Sequence, residues 1–199
     1  MKVGTIKQMI DAAISHIAGQ LNQYLKRSFD LNEDIVVVSN ILEQDGSVAS
    51  NVANKLVMFL INVEKDTTHS RPQNSRTTGL DRSVVSYPPI YLNLYLMVAG
   101  HFSGNNYPEA LKFLSNTISF FQRLPVMDHE NTPDLDSRIE KLILDIENLN
   151  IKDLSTLWSA ITGKYLPSVI YKVRMVAFDS GDVRFRTPGI AEMQSAVKK

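Results

Sequence analysis

Apolar residues recur along this chain at two spacings, one typical of helices and one typical of strands. The first helical stripe consists of Ile6, Ile10, Ala13, Ile14, Ile17, Leu21 and Leu25. This spacing places them on one face of an amphipathic helix, with His16 and Asn22 outside the stripe. A second helix is predicted from near Tyr107, because Pro108 then stands in the first turn, where a missing N–H is tolerated.

A third helix is predicted after Asn150, whose side chain suits an N-cap, with Asp153 near the positive end of the helix dipole. The apolar stripe of this helix includes Trp158, which we therefore expect in the core. Gly163 follows where a left-handed C-terminal cap is wanted.

Short β-branched and alternating apolar segments predict the strands. These segments are 35–42, 56–63, 90–98, 139–146 and 168–178, with a shorter one from Val183 to Arg186. Segment 56–63 is apolar on both alternating faces, which predicts a central strand covered on both sides. Segment 139–146 would also suit a helix, although the alternation favours a strand.

These elements predict one α+β domain with a mixed, largely antiparallel sheet of about five strands and about three packed helices. The domain is expected to span residues 1–180, followed by a short C-terminal strand and tail over 181–199. Residues 65–88 are polar and include Arg71, Arg76 and Arg82, which predicts a long flexible loop. A loop of this length inside a compact domain is usually functional or disordered.

Composition narrows the functional classes. The 199 residues carry 21 Lys and Arg against 21 Asp and Glu, so the chain has no net field with which to attract nucleic acid or an anionic membrane. The chain has no cysteine, which excludes disulfides and thiolate chemistry and fits synthesis in a reducing compartment. The N-terminal residues lack the pattern of a signal sequence or a bilayer span, so we expect a soluble cytoplasmic product.

Candidate chemistry is sparse. His16, His69, His101 and His129 match no metal-binding spacing, and the glycines are scattered singly rather than grouped in a phosphate-binding loop. Ser103-Gly104 and Ser180-Gly181 are turn dipeptides, not a nucleophile elbow. The sequence therefore predicts no catalytic residue, no cofactor and no metal site.

Two cations in the last long strand need a partner. Lys172 and Arg174 are two residues apart, so they project from the same face of the strand. We expect Arg174 to pair with a carboxylate across the sheet. The alternative is that the two cations form a docking surface for a neighbouring subunit.

Four blocks of sequence resemble a known family. They are residues 88–95 (PPIYLNLY), 107–115 (YPEALKFLS), 120–122 (FFQ) and 157–174 (LWSAITGKYLPSVIYKVR). Residues 9–11 (MID) and 21–25 (LNQYL) fit as well. The family consists of proteins that cap the tail of phage-tail-like extracellular contractile injection systems, of the antifeeding-prophage and virulence-cassette type.

This resemblance implies a structural protein rather than an enzyme. It implies a ring, hexameric in this family, that ends the inner tube and anchors the last sheath layer, so the partners would be other copies, the tube protein and the sheath protein. The protein would assemble in the cytoplasm and then belong to a released or cell-associated particle. An assembly adaptor or chaperone, or an enzyme with an unfamiliar site, remains the alternative.

Five arginines lie in the two segments that the predicted core needs least. They are Arg71, Arg76, Arg82, Arg184 and Arg186. Because a polar, cationic segment can become ordered on contact with a partner, we predict that these side chains contribute to subunit or sheath contacts.

Overall fold

A computed structural model of the chain describes residues 4–67, 82–86, 90–162, 164–177 and 183–188. The helices are α1 (Gly4–Phe29), α2 (Tyr107–Arg123) and α3 (Ile151–Ile161), with a 3-10 turn at Gly104–Asn106. The strands are β1 (Val36–Val38), β2 (Lys55–Lys65), β3 (Arg82–Ser86), β4 (Ile90–His101), β5 (Val126–Asp128), β6 (Ile139–Ile146), β7 (Ser168–Ala177) and β8 (Val183–Pro188).

Six of these strands form one sheet in the order β1-β2-β4-β7-β6-β5, and β3 pairs with β8 in a separate two-stranded ribbon. The β1–β2 pair is parallel, and every other pair in the described part of the sheet is antiparallel. The predicted α+β class and the mixed, largely antiparallel sheet are therefore confirmed, and the three helices lie where the pattern placed them.

Several strand boundaries differ from the prediction, and three of the differences affect the topology. Within predicted segment 35–42, only Val36–Val38 forms a strand. The three-residue strand β5 was not predicted, because it is too short to show an alternation. Arg82–Ser86 lies inside the predicted loop but forms β3, so the loop prediction is wrong for those residues, because β8 supplies their hydrogen-bonding partner. Residues 68–81 and 87–89 lie outside the described part of the chain.

Helices α1 and α2 cover one face of the six-stranded sheet. Ile17 and Leu21 of α1 and Phe121 of α2 pack in the same cluster as Leu96 of β4 and Val173 of β7. Each of these side chains is almost completely buried. This larger core therefore holds both long helices on the sheet and contributes most of the hydrophobic stabilisation of the domain.

Helix α3 covers part of the opposite face. Its Trp158 is 2% exposed and packs with Val57, Met97 and Ile170 of the central strands, which confirms the predicted core position. The Asn150 side chain accepts a hydrogen bond from the Asp153 N–H, as expected of the N-cap, whereas Gly163 lies outside the described residues. The segment between β1 and β2 packs on the same face through Ile41, Ala49 and Val52, so α3 covers this face only in part.

Asn22 connects α1 to the edge of the sheet. Its Oδ1 accepts hydrogen bonds from the N–H groups of Ile35 and Val36, and its Nδ2 donates to the Val36 carbonyl. The side chain is buried, and these three bonds satisfy polar groups that would otherwise lie unpaired. Asn22 therefore sets the position at which β1 begins.

A bidentate ion pair between Arg138 and Asp136 stabilises the turn before β6. Arg138 donates from Nη2 to Asp136 Oδ2 at 2.6 Å and from Nε to Oδ1 at 2.9 Å. Its backbone N–H also donates to Oδ1 at 2.9 Å. Mainly through these hydrogen bonds, Arg138 lowers the pKa of Asp136 to about 2.

This pair predicts a specific loss of stability in acid. A carboxyl whose pKa is depressed in the folded state stabilises it above the unfolded pKa of about 3.9, and this contribution disappears as pH falls towards about 2. We expect the free energy of unfolding to fall less between pH 4 and pH 2 in Asp136→Asn than in the unmodified chain. Urea unfolding across that range measures the difference. The exposed Glu140→Gln serves as the control, and an equal acid response in Asp136→Asn and the unmodified chain would contradict the prediction.

Candidate docking surface

Beyond α3, the same sheet face carries polar side chains in register across four strands. Asn62 of β2 is paired with Tyr95 of β4, Tyr95 with Lys172 of β7, and Lys172 with Asp145 of β6. Directly opposed residues lie on the same face of a sheet, so these four form one row. We call this row and its neighbours Glu64 and Arg174 the polar face.

Two hydrogen-bonded units make up the polar face. Glu64 accepts from the Tyr95 hydroxyl at 3.0 Å through Oε2 and from Asn62 Nδ2 at 3.2 Å through Oε1. Partial burial, together with the hydrogen bond to Glu64 and its charge, raises the pKa of Tyr95, so the phenol is a proton donor at neutral pH. Lys172 Nζ stands 5.9 Å from the centre of the Tyr95 ring.

The second unit confirms the expectation for Arg174. Its Nη2 lies 3.1 Å from Asp145 Oδ2 on the neighbouring strand β6. The two side chains are 37% and 61% exposed, so the pair contributes little to stability, because solvent screens it.

A groove separates α3 from the polar face. Its volume is about 500 Å³, and its floor includes the apolar side chains of Ile61, Leu157 and Ile170. Glu64, Glu147 and Asp153 lie around it. Among the described residues that line this groove there is no lysine or arginine, so its rim is acidic.

Three of the five predicted interface arginines lie in the β3–β8 ribbon. Arg82 is paired with Pro188 and Arg186 with Val84, while Arg184 stands where the register shifts and has no register partner. A shift of this kind is a β-bulge, and bulges occur often at sheet edges and beside functional sites. Arg71 and Arg76 lie outside the described residues, so no geometry relates them to the ribbon.

The described residues contain no cluster of three or more His, Asp or Glu side chains that could hold a metal ion. Within the same ranges, the helices lack the length and apolar character that crossing a bilayer requires. The described surface offers a polar face and an apolar groove with an acidic rim, and the backbone of the β3–β8 ribbon carries three arginine positions.

Comparisons with known proteins give one matching family and two similar solved structures. The family model of the Pvc16 N-terminal domain matches residues 12–192 of this chain. The structure of the PVC sheath/tube terminator of an extracellular contractile injection system, in its extended state, is similar with a TM-score of 0.60 and 14% identity, over 96% of this chain and 63% of that one.

The tube-terminating cap of the anti-feeding prophage is similar with a TM-score of 0.51 and 11% identity, over 91% of this chain and 59% of that one. This chain thus spans less than two thirds of the length of either protein. At these identities the two likenesses establish the fold. No curated protein sequence matches the chain.

Proposed function

The chain belongs to the Pvc16 N-terminal domain family, and on that basis we propose that it caps a contractile injection particle as its tail terminator. In this role, copies of the chain form a ring, a homohexamer, on the last layer of the inner tube and hold the terminal layer of the sheath. The function is structural and not enzymatic. The chain assembles in the cytoplasm and then remains with the particle.

The observation that carries the proposal is the family match over residues 12–192, because it covers nearly the whole chain. The fold of the two similar structures supports it, since both are named as terminators of a tube or of a sheath and tube. The polar face and the groove with its acidic rim also suit contact with other proteins.

A ring of identical copies requires that one patch on each subunit meet a different patch on the next subunit. The outer strands of the main sheet, β1 and β5, have only three residues each, so they offer little edge for a neighbour's strand. The β3–β8 ribbon has six-residue β8 as an additional edge. Strand addition at the ribbon would supply main-chain hydrogen bonds between subunits without any specialised site.

Removing the chain from cells that make the particle tests the proposal. Without a terminator, tube growth has no stop, so we expect tubes with a broad length distribution in electron micrographs. Restoring the chain is expected to narrow the distribution and to add a ring at one end of each tube. Tubes of unchanged length in its absence would refute the proposal.

An assembly adaptor or chaperone would be absent from the finished particles. Such a protein is needed during assembly but departs from the finished particle. Mass spectrometry of purified particles, with light scattering on the isolated chain, separates the two functions: a terminator stays at about one ring per particle.

A further inference from the structure

We propose that the groove between α3 and the polar face binds residues 189–199 of a neighbouring copy of this chain. The inference rests on the proposed ring, and it names a contact that would join one subunit to the next. Three features carry it: the chemistry of the groove, the chemistry of the segment, and the place of the segment after β8 in the chain.

The groove combines an apolar floor with an unneutralised carboxylate. Ile61, Leu157 and Ile170 form the floor, and Leu149 beside them is 39% exposed although it is a large aliphatic side chain. Glu147 lines the groove and has no side-chain partner among the described residues. A half-buried charge of this kind is stabilised by an incoming cation.

Glu64 and Asp153 add to the negative potential of the rim even though each already has a partner. Glu64 accepts from Tyr95, and Asp153 Oδ2 accepts from Asn150 Nδ2 at 2.6 Å. Their hydrogen-bond donors are a phenol and an amide, so neither partner brings a positive charge to the rim. The groove therefore favours a segment with apolar side chains for the floor and cations for the rim.

The last residues of the sequence have this composition. Ile190, Met193 and Val197 are spaced three and four apart, which is the spacing of an apolar helix face. Lys198 and Lys199 follow directly. An amphipathic segment that lays such a face into an apolar groove is a common mode of peptide recognition.

The order of the elements along the chain bears on which copy offers the groove. Val183 of β8 is paired near Ser86, which lies close in sequence to the start of β4, whereas Pro188 is paired with Arg82 at the other end of the ribbon. In sequence, the ribbon therefore connects to the end of the main sheet where Ile90 meets Ala177.

The groove contacts the opposite end of β7, at Ile170. At about 3.3 Å per residue, the length of β7 alone puts roughly 23 Å between Ile170 and Ala177. Residues 189–199 follow the Pro188 end of the ribbon, after the six residues of β8. In the proposed ring this segment enters the groove of the next subunit, and the experiment below distinguishes that groove from the groove of the same chain.

The absence of cysteine allows a direct test. Two differently tagged versions of the full chain would be co-expressed with the tube and sheath proteins, one with Thr156→Cys in the groove and the other with cysteine in place of Ile190, Met193 or Val197. A disulfide-linked product that carries both tags can arise only from two different chains. Ser155→Cys, on the same helix but outside the groove lining, is the matched control.

We expect at least one of the three segment positions to cross-link to Thr156→Cys several-fold more than to Ser155→Cys. Glu147→Lys should reduce that yield, and Lys198→Glu with Lys199→Glu should restore it in the Glu147→Lys background. Both charge variants must leave the far-ultraviolet circular dichroism spectrum unchanged.

Other cross-linking patterns overturn the inference. Equal cross-linking yields with Thr156→Cys and Ser155→Cys would reject the neighbour's C-terminal segment as the occupant. The same holds if Lys2→Cys cross-links to Thr156→Cys more than the three segment positions do. A disulfide that forms only within one chain carrying both cysteines would also reject it. Tube length is measured on the same particles. Capped particles of normal length without the cross-link would refute this contact alone, whereas the absence of the chain from tube ends would refute the proposed function too.

Discussion

Replacing Trp158 with alanine is expected to lower the free energy of unfolding by about 3–5 kcal/mol, the range observed when a buried aromatic side chain is truncated. Trp158 is the one buried residue of α3, and it packs against Val57, Met97 and Ile170. Its loss therefore removes most of the apolar contact between α3 and the sheet, and the surrounding strands cannot collapse to fill the space.

Urea unfolding followed by circular dichroism measures this effect, because Trp158 is the only tryptophan and its fluorescence disappears with it. Trp158→Phe is the matched control. The indole N–H has no hydrogen-bond acceptor in the described part of the chain, so phenylalanine keeps most of the packing without breaking a bond. A loss below about 1 kcal/mol in Trp158→Ala would show that α3 is held by other contacts.

The helices were predictable because the helical spacing of their apolar residues recurs over several turns. Pro108 in the first turn of α2 and the Asn150 cap of α3 each marked a boundary, and both boundaries were found as expected. The long strands β4, β6 and β7 were predictable for the same reason, since each alternates over eight or more residues. The family resemblance is confirmed by the match over residues 12–192.

The position of Asn22 shows where sequence periodicity fails. It lies outside the apolar stripe of α1, yet its side chain is 8% exposed and hydrogen-bonded to the backbone of Ile35 and Val36. Its burial depends on where β1 meets α1. Such a contact between distant segments leaves no trace in the local spacing of residues.

Burial along β2 fails for a related reason. The pattern predicted a strand covered on both sides, and this holds for Leu56 to Met58. Further along, Leu60 and Val63 are each 37% exposed, because neither α1 and α2 nor the short α3 extends over that end of the strand. The apolar residues of a strand show which side chains can be buried. The lengths of the helices that cover the sheet decide which of them are buried within one subunit.

The groove could not be predicted from the sequence because its lining residues come from β2, β4, β7 and the region around α3. Lys172 and Arg174 were found from their spacing, and the expected carboxylate partner of Arg174 is Asp145. What remains a prediction is the contribution of the five arginines to subunit or sheath contacts. The described surface raises a definite expectation for them.

Reversing Arg82, Arg184 and Arg186 to glutamate is expected to give tubes of uncontrolled length while the isolated chain stays folded. The three residues lie in the β3–β8 ribbon, which is separate from the six-stranded sheet. Truncating one partner of a buried charge pair at an interface costs about 2–5 kcal/mol, and reversal adds repulsion at every copy in the ring. A second variant reverses Arg71 and Arg76, which tests the segment between β2 and β3 separately.

Electron micrographs give the tube lengths, and thermal unfolding of the isolated variants gives their stability. Reversing Arg27, Lys152 and Lys164, which are exposed elsewhere on the domain, changes the net charge by the same amount and controls for a general electrostatic effect. Normal tube lengths in the ribbon variant would place the subunit contacts elsewhere. A collapse of its melting temperature would instead make these arginines part of the fold, because surface substitutions remote from packed or paired groups usually change stability by no more than about 0.5 kcal/mol. Since β3 and β8 lie outside the six-stranded sheet, the fold can tolerate these changes even where the assembly cannot.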